Sequence, residues 1–180
     1  MLHSLALPKY ETLKQFEGKG NFAINKYYQF PYRFFYRHKL KMIISLMPKG
    51  TIYRNILDFG CGPGIFTKEL KKHALAVKSI DTLSELDSRW SFDAVVCSSV
   101  LEFAMLDVTL RALKNVLKSS GALFVASPME TPLSNLYFNL IKDKYCRNSH
   151  EEIIKKVSVY FSITEMKTWF GFYFALKAVK

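Results

Sequence analysis

The segment ILDFGCGPGIF, residues 56–66, places an apolar run directly before three glycines that alternate within five positions. Residues 55–59, NILDF, predict a short buried strand, and residues 64–73, GIFTKELKKH, predict a helix. Because glycine has no Cβ, the loop between them lets another group approach the backbone closely. In a doubly wound sheet, ligands bind past the carboxyl ends of the strands, so this segment predicts a ligand-binding turn.

The spacing of the glycines limits which classes of ligand the loop could bind. A phosphate-binding P-loop needs Lys followed by Ser or Thr after its last glycine, whereas Ile65 and Phe66 follow Gly64 here. The dinucleotide fingerprint spaces its glycines G-x-G-x-x-G, and this loop is one residue tighter. Asp58 would repel a pyrophosphate but attract a cation or an ammonium group. The loop therefore predicts a ligand with a positively charged head that packs against glycine backbone.

Strands and helices alternate through the centre of the chain. Further strands are predicted at residues 75–81, 92–99 and 122–128. An amphipathic helix is predicted at residues 108–121, with Gly121 as its C-terminal stop. Residues 161–170 and 172–180 have the pattern of two strands in an antiparallel hairpin around Gly171. The whole pattern predicts an α/β fold with a doubly wound, mostly parallel sheet.

Helices are also predicted on both sides of this central unit. They cover residues 32–47 after Pro31, residues 133–145 and residues 149–157. The length of 180 residues suits one domain. We divide it into a basic, aromatic N-terminal helical flank (1–50), a cofactor-binding core (51–130), and a helical insertion with C-terminal strands that complete the same domain (131–180).

Three segments resemble, in order, the motifs of the class I S-adenosylmethionine-dependent methyltransferases. ILDFGCGPG, residues 56–64, is similar to the first motif of that family. FDAVVCSSVLEF, residues 92–103, resembles its fourth-strand motif, and LKNVLKSSGALFVASP, residues 113–128, resembles the helix, turn and fifth strand that follow. The likeness covers roughly residues 50–130. It implies a Rossmann-like methyltransferase fold, S-adenosylmethionine as cofactor and methyl-transfer activity.

The resemblance also implies roles for individual residues. Asp58 would hold the methionine ammonium group, directly or through water, and Asp81 would pair with the ribose hydroxyls. Asp81 stands seventeen residues after Gly64, and its alternative role as a helix N-cap or turn residue stays open. The other positions implied to border the cofactor or the acceptor are Gly60, Cys61, Gly62, Gly64, Ser98, Ser99 and Leu101.

The sequence departs from the family pattern in two places. Only ten residues, 82–91, separate Asp81 from Phe92, where the family has a helix, another strand and a loop. One βα unit is therefore missing or reduced, and Asp81 ends either the family's second strand or its third. Phe103 stands where many relatives that methylate small molecules carry a histidine, so a general base is absent from that position.

Two functions stay open at this point. The first is methyl transfer to a small-molecule or lipid-like acceptor. The second is that of a reduced relative, which binds the cofactor weakly or not at all and serves as an interaction module. Because the sulfonium is already activated, methyl transfer can proceed by in-line alignment alone, so the missing base does not exclude the first function.

The net charge of +11 is concentrated in the flanks. Residues 1–50 hold nine Lys and Arg against two acids, while residues 51–130 hold nine against nine. The segment NKYYQFPYRFFYRHKLK, residues 25–41, interleaves aromatic with basic residues. It predicts a helix packed on the sheet as a lid, a nucleic-acid surface, or a segment lying on an anionic membrane.

The cysteines give no sign of a metal site. Cys61, Cys97 and Cys146 form neither a metal-ligand pattern nor a disulfide framework, which favours a reducing cytoplasm. No signal peptide is recognised, and no apolar run approaches the ~20 residues needed to cross a bilayer. The sequence carries no signal for the oligomeric state.

Overall fold

A six-stranded sheet forms the centre of the computed structural model, which describes residues 5–16, 24–140 and 148–180. Its strands are β1 (Tyr53–Phe59), β2 (Ala74–Ile80), β3 (Phe92–Ser98), β4 (Leu117–Pro128), β5 (Ser162–Trp169) and β6 (Tyr173–Val179). Their order across the sheet is β2-β1-β3-β4-β6-β5. The first four strands pair in parallel, and β6 is antiparallel to both β4 and β5. This confirms the predicted α/β fold with its antiparallel C-terminal hairpin.

Helices connect and cover these strands. They are α1 (Tyr10–Leu13), α2 (Tyr32–Leu46), α3 (Thr67–Leu70), α4 (Leu106–Val116), α5 (Pro132–Leu140) and α6 (His150–Tyr160). Short 3₁₀ turns cover Lys14–Phe16, Ile24–Tyr27, Leu83–Glu85 and Leu101–Phe103. None of the described helices is long and apolar enough to cross a membrane.

Alternation along the strands gives the sheet two buried faces. On β4, Phe124 and Ala126 belong to the apolar cluster that includes the inner face of α2. Leu123 and Val125 belong to the opposite cluster, together with residues of α4 and α6. Successive side chains of a strand point to opposite faces, so this central strand is apolar on both. The sheet therefore lies between two layers that contain helices.

The short connection after β2 replaces a whole βα unit. Residues 81–91 contain one 3₁₀ turn and no strand, and β2 is an edge strand that pairs directly with β1. In the doubly wound order the second strand lies beside the first and the third lies outside it. Asp81 therefore follows a strand in the second position, and the outer strand is the element that residues 81–91 lack.

The helix predicted at residues 108–121 is shorter than expected, and the strand after it begins earlier. Helix α4 ends at Val116, and Leu117 pairs with Phe92 of β3 at the start of β4. The pairing then shifts between Phe92 and Ala94, so the residues after Leu117 form an irregular bulge within the strand. Gly121 is thus a strand residue and not the predicted helix stop.

Two other helix predictions also differ in extent. The helix predicted at residues 64–73 is reduced to α3, because the His73 carbonyl accepts a hydrogen bond of 2.8 Å from the Tyr53 amide and β2 begins at Ala74. The last residues of the helix predicted at 133–145 lie outside the described residues, as does Cys146.

Candidate functional site

The glycine loop, residues 60–64, lies at the carboxyl ends of β1 and β2. Gly60, Gly62 and Gly64 have φ values of 71°, 50° and 75°, in the left-handed region that side-chain-bearing residues rarely adopt. The Gly60 and Cys61 amides both donate to the Ile80 carbonyl, at 2.9 and 3.2 Å. These bonds fix the loop against the end of β2, where Asp81 follows.

Gly60 is required by packing as well as by its backbone angle. A Cβ at this position would lie 2.3 Å from Cγ2 of Val100, whereas a Cβ at Gly50, with a φ of 76°, would meet nothing within 4 Å. Gly60→Ala is expected to lower the free energy of unfolding by roughly 2–4 kcal/mol, from backbone strain plus overpacking.

The matched control is Gly50→Ala, which carries the strain alone and should cost only about 1–2 kcal/mol. Urea unfolding of both variants measures the difference. Equal losses in the two variants would show that the Val100 contact does not constrain the loop.

Asp58 is buried at the end of β1, with 2% of its surface exposed. The Thr67 hydroxyl donates to its Oδ2 at 2.6 Å, and Thr67 Oγ1 lies 3.2 Å from Ser79 Oγ. Burial raises the pKa of Asp58 to about 6, although the Thr67 hydrogen bond works in the opposite direction. The carboxyl therefore titrates near neutrality, and its predicted contact with an ammonium group stays a prediction.

Asp81 lies on the surface beside the glycine loop. Its Oδ1 accepts a hydrogen bond of 3.0 Å from the Gly62 amide. The N-cap of the following 3₁₀ turn is Thr82, which forms a capping box with Glu85. Asp81 is therefore not the N-cap, and it is placed where a carboxylate could also accept from hydroxyl groups of a ligand. The ribose contact itself stays a prediction.

Carboxylates surround the thiol in the middle of the loop. The pKa of Cys61 is raised to about 12, chiefly by burial and further by Asp58, Asp81 and Glu85. The thiol is therefore protonated and cannot serve as a thiolate nucleophile. A loop with three acidic groups around it repels phosphate and attracts a positively charged ligand. This donor set fits a sulfonium cofactor with an ammonium group.

The residues after β3 lie at the same end of the sheet. Ser98 Oγ is buried and has no hydrogen-bond partner among the described residues. Ser99 has a φ of 55°, which turns the chain sharply after the strand. Leu101 is buried in the apolar core, whereas the Phe103 side chain is half exposed. The predicted contacts of Ser98, Ser99 and Leu101 with a ligand stay predictions.

A buried polar network, formed by Lys39, Ser99, Glu102 and Ser127, was not predicted from the sequence. The Lys39 ammonium donates to Ser99 Oγ, and the Ser99 hydroxyl hydrogen-bonds the Glu102 carboxylate. Ser127 Oγ donates to Glu102 Oε2 at 2.8 Å. Lys39 and Glu102 are each only 1% exposed, so the network carries two ionisable groups into the interior.

Aromatic rings enclose the Lys39 end of this network. The ammonium nitrogen lies 5.6 Å from the ring centroids of Tyr36 and Tyr173 and 5.8 Å from that of Tyr27. It also lies 3.4 Å from the Tyr27 hydroxyl. Ring faces attract a cation and partly replace the water that it loses on burial.

Burial and neighbouring groups shift the pKa of Glu102 in opposite directions. Burial raises its pKa, while the Lys39 ammonium and the hydrogen bonds to the carboxylate favour the ionised form. Asn148 holds the same turn in place, since its Nδ2 donates to the carbonyls of Leu101 and Ala104, both at 2.7 Å. The turn after β3 is therefore fixed from both sides.

The sequence does contain a signal for the buried lysine. Tyr36, Lys39, Leu40 and Ile43 follow the spacing of one helix face, and all four are buried on α2. A lysine on an apolar helix face needs an internal partner, because burying an unpaired charge is costly. The sequence does not reveal which carboxylate meets it, since Glu102 is 63 residues further along the chain.

Metal coordination finds no support among residues 5–16, 24–140 and 148–180. No group of three or more His, Cys, Asp or Glu side chains lies close enough there to hold a metal ion.

Comparison with known proteins gives one family and a consistent set of structures. The model of a family described as a methyltransferase domain matches residues 32–171. The structure resembles N-methyltransferase NodS from Bradyrhizobium japonicum in complex with S-adenosyl-L-homocysteine, with a TM-score of 0.63, 15% identity, and coverage of 95% of this chain and 97% of that one. No significant match occurs among curated protein sequences.

Two further structures have the same fold. Magnesium protoporphyrin IX methyltransferase from Synechocystis, with bound S-adenosyl-L-homocysteine, has a TM-score of 0.58 and 16% identity over 95% of this chain and 93% of its own. An S-adenosylmethionine-dependent methyltransferase from Mesorhizobium loti has a TM-score of 0.58 and 11% identity over 77% of this chain and 95% of its own.

Proposed function

The chain belongs to the methyltransferase domain family, as its three sequence motifs indicate, and on that basis we propose that it methylates a small-molecule or lipid-like acceptor. Its cofactor is S-adenosylmethionine, which supplies an electrophilic methyl group on its sulfonium. The observation that supports binding of this cofactor is the acidic surround of the glycine loop. Asp58, Asp81 and Glu85 all act on Cys61, so the loop favours a cationic ligand.

The side chains of this chain contribute binding and alignment. Asp58, at the end of β1, would attract the ammonium group, and Asp81 would accept hydrogen bonds from the ribose hydroxyls. Asp58 lies near the carboxyl end of β1 and Asp81 directly follows β2, its parallel neighbour, so the two carboxyls would orient the cofactor towards the turn after β3. Ser98 and Ser99 at that turn would border the acceptor. This alignment is sufficient for transfer to an acceptor that is already nucleophilic.

The alternative function, that of a weakly binding interaction module, has one structural observation in its favour. β2 is the edge strand of the sheet, and residues 81–91 contain no strand that could lie outside it. The side of the site next to Asp81 is therefore not covered by an outer strand. Isothermal titration with S-adenosylmethionine separates the two functions. An active enzyme requires saturable binding of the cofactor. If millimolar cofactor produced neither heat of binding nor a shift in melting temperature, the enzyme function would be rejected and the interaction module would remain.

Asp81→Asn tests the cofactor contact at the open side of the site. The amide oxygen can still accept from the Gly62 amide, but the charge that favours ribose hydroxyls is lost. The affinity for S-adenosylmethionine is expected to fall about tenfold, as for hydrogen bonds to a charged group. Calorimetric titration measures it, and the control is Asp87→Asn, which changes a half-buried carboxylate on the same connection that pairs with Arg89. If both variants bound alike, the role of Asp81 would be rejected.

A further inference from the structure

An exposed apolar surface lies beside the site and is not explained by cofactor binding. We call it the docking face, and it consists of Phe30, Phe34, Leu133, Leu136 and Phe170. Their exposed fractions are 78%, 60%, 53%, 61% and 78%. A cluster of large apolar side chains this exposed marks an interaction surface more often than ordinary solvent-facing surface.

Four of the five members of the docking face come from three elements that are in contact, and Phe30 lies two residues before the first of these, α2. The ring of Phe34 lies 5.5 Å from that of Trp169, which in turn lies 5.5 Å from Phe170. Phe35, next to Phe34, stacks on Tyr137 of α5 at 4.4 Å. The start of α2, the tip of the β5–β6 hairpin and α5 therefore form one continuous surface.

Positive charge lies along α2 on one side of this surface. Residues 24–46 contain four Lys and Arg besides the buried Lys39 and no acidic residue, and residues 131–140 and 166–173 also contain no acid. Arg37 and Lys41 follow Phe34 by three and seven residues on α2, so they share its side of the helix, and the exposed Arg33 directly precedes Phe34. The Arg37 guanidinium also donates to the Tyr27 carbonyl at 2.7 Å. An apolar centre with basic residues along it has the composition of an interfacial membrane-binding segment.

The docking face lies at the same end of the sheet as the glycine loop. Pro128, the last residue of β4, pairs with Tyr173, the first residue of β6, so the hairpin tip projects at the carboxyl ends of the parallel strands. The Thr131 hydroxyl donates to the Gly171 carbonyl at 3.0 Å and ties the start of α5 to that tip. A surface bound by the docking face would therefore lie close to the site.

We propose that the docking face binds an anionic lipid bilayer. Phenylalanines and leucines enter the boundary between headgroups and acyl chains, and the arginines and Lys41 meet acidic headgroups. The leucines of α5 distinguish this face from a single-stranded nucleic-acid site, which uses aromatic rings to stack bases and has no need of aliphatic side chains. Bilayer binding stands apart from catalysis; its consequence, that the acceptor is drawn from the lipid surface, rests on the proposed function.

The test is co-sedimentation of the full 180-residue chain with vesicles, without cofactor. We expect binding to vesicles of three parts phosphatidylcholine and one part phosphatidylglycerol, and little binding to phosphatidylcholine alone. Phe34→Ser combined with Phe170→Ser should lower the partition coefficient at least about tenfold. Arg33→Gln should lower it about fivefold, and that loss should shrink at high salt.

Two matched controls lie away from the docking face. Leu75→Ser removes an apolar side chain that is 79% exposed on the edge strand β2, and Lys155→Gln removes an exposed charge on α6. Both should bind vesicles like the unmodified protein, and every variant should keep a single cooperative melting transition.

Three results would overturn the proposal. The first is equal binding to neutral and anionic vesicles, or none to either. The second is a phenylalanine-dependent dimer in light scattering, which would make the face a contact between copies. The third is tighter binding to single-stranded RNA than to anionic vesicles. Because no step requires the cofactor, a failure here leaves the titration with S-adenosylmethionine as an independent test of the proposed function.

Discussion

Lys39→Met is expected to lower the free energy of unfolding by about 3 kcal/mol at pH 8, because it leaves Glu102 buried without its cation. Methionine nearly matches the length of the lysine side chain, so the loss reflects charge and hydrogen bonding more than a cavity. The variant loses the bond to Ser99 Oγ and the contacts with three tyrosine rings. Urea unfolding measures the change.

The pH dependence of this loss identifies its cause. Burial raises the pKa of Glu102 above its unfolded value, and Lys39 opposes that shift. Without Lys39 the folded pKa rises further, so the folded state binds the proton more tightly than the unfolded state. Stability contributed by the protonated carboxyl is then present at low pH and lost as pH rises. The deficit should therefore be smaller at pH 5 than at pH 8.

Two further variants complete the experiment. Lys41→Met changes a half-buried lysine of the same helix and should cost less than about 0.5 kcal/mol, with no such pH dependence. Lys39→Met combined with Glu102→Gln should cost less than the sum of the single variants, because both charges are gone. Additive losses with a flat pH profile would show that the two groups do not interact.

The fold could be predicted because its signals are local. The strand β1, the glycine turn and the α4–β4 order are contained in contiguous segments, and the family resemblance rests on those segments. Helix ends were less predictable, because long-range pairing determines them. Val116 ends α4 where Leu117 can pair with Phe92, and no feature of the helix itself indicates that strand partner.

Some features of the candidate site could likewise be predicted from the sequence, and others could not. The positions of Asp58, Gly60 and Asp81 at strand ends follow from their place in the sequence. Their environments do not, since the burial of Asp58 and its bond to Thr67 depend on how α3 packs on the sheet. The effect of the Lys39 charge on the pKa of Glu102 connects α2 with the turn after β3, which only the folded chain brings together.

Asp58→Asn is expected to weaken binding of S-adenosylmethionine at pH 8 by at least about thirtyfold, the low end for truncating one partner of a buried charged pair. The amide can still accept from the Thr67 hydroxyl, so the loop should keep its shape. The folded pKa of Asp58 is raised to about 6, which means that its ionised form costs stability above that pH. The variant should therefore be at least as stable as the unmodified protein at pH 8 while binding the cofactor less tightly.

Titration of Asp58 should also make the cofactor affinity of the unmodified protein depend on pH. If only ionised Asp58 binds the ammonium group, the affinity falls as pH falls through about 6, by about tenfold between pH 7 and pH 5. The affinity of the Asp58→Asn variant should not change over this pH range. Thr67→Val removes the hydrogen bond that lowers the pKa, so its midpoint should move to higher pH. Calorimetric titration across this range checks all three profiles, and identical profiles would reject Asp58 as the ammonium contact.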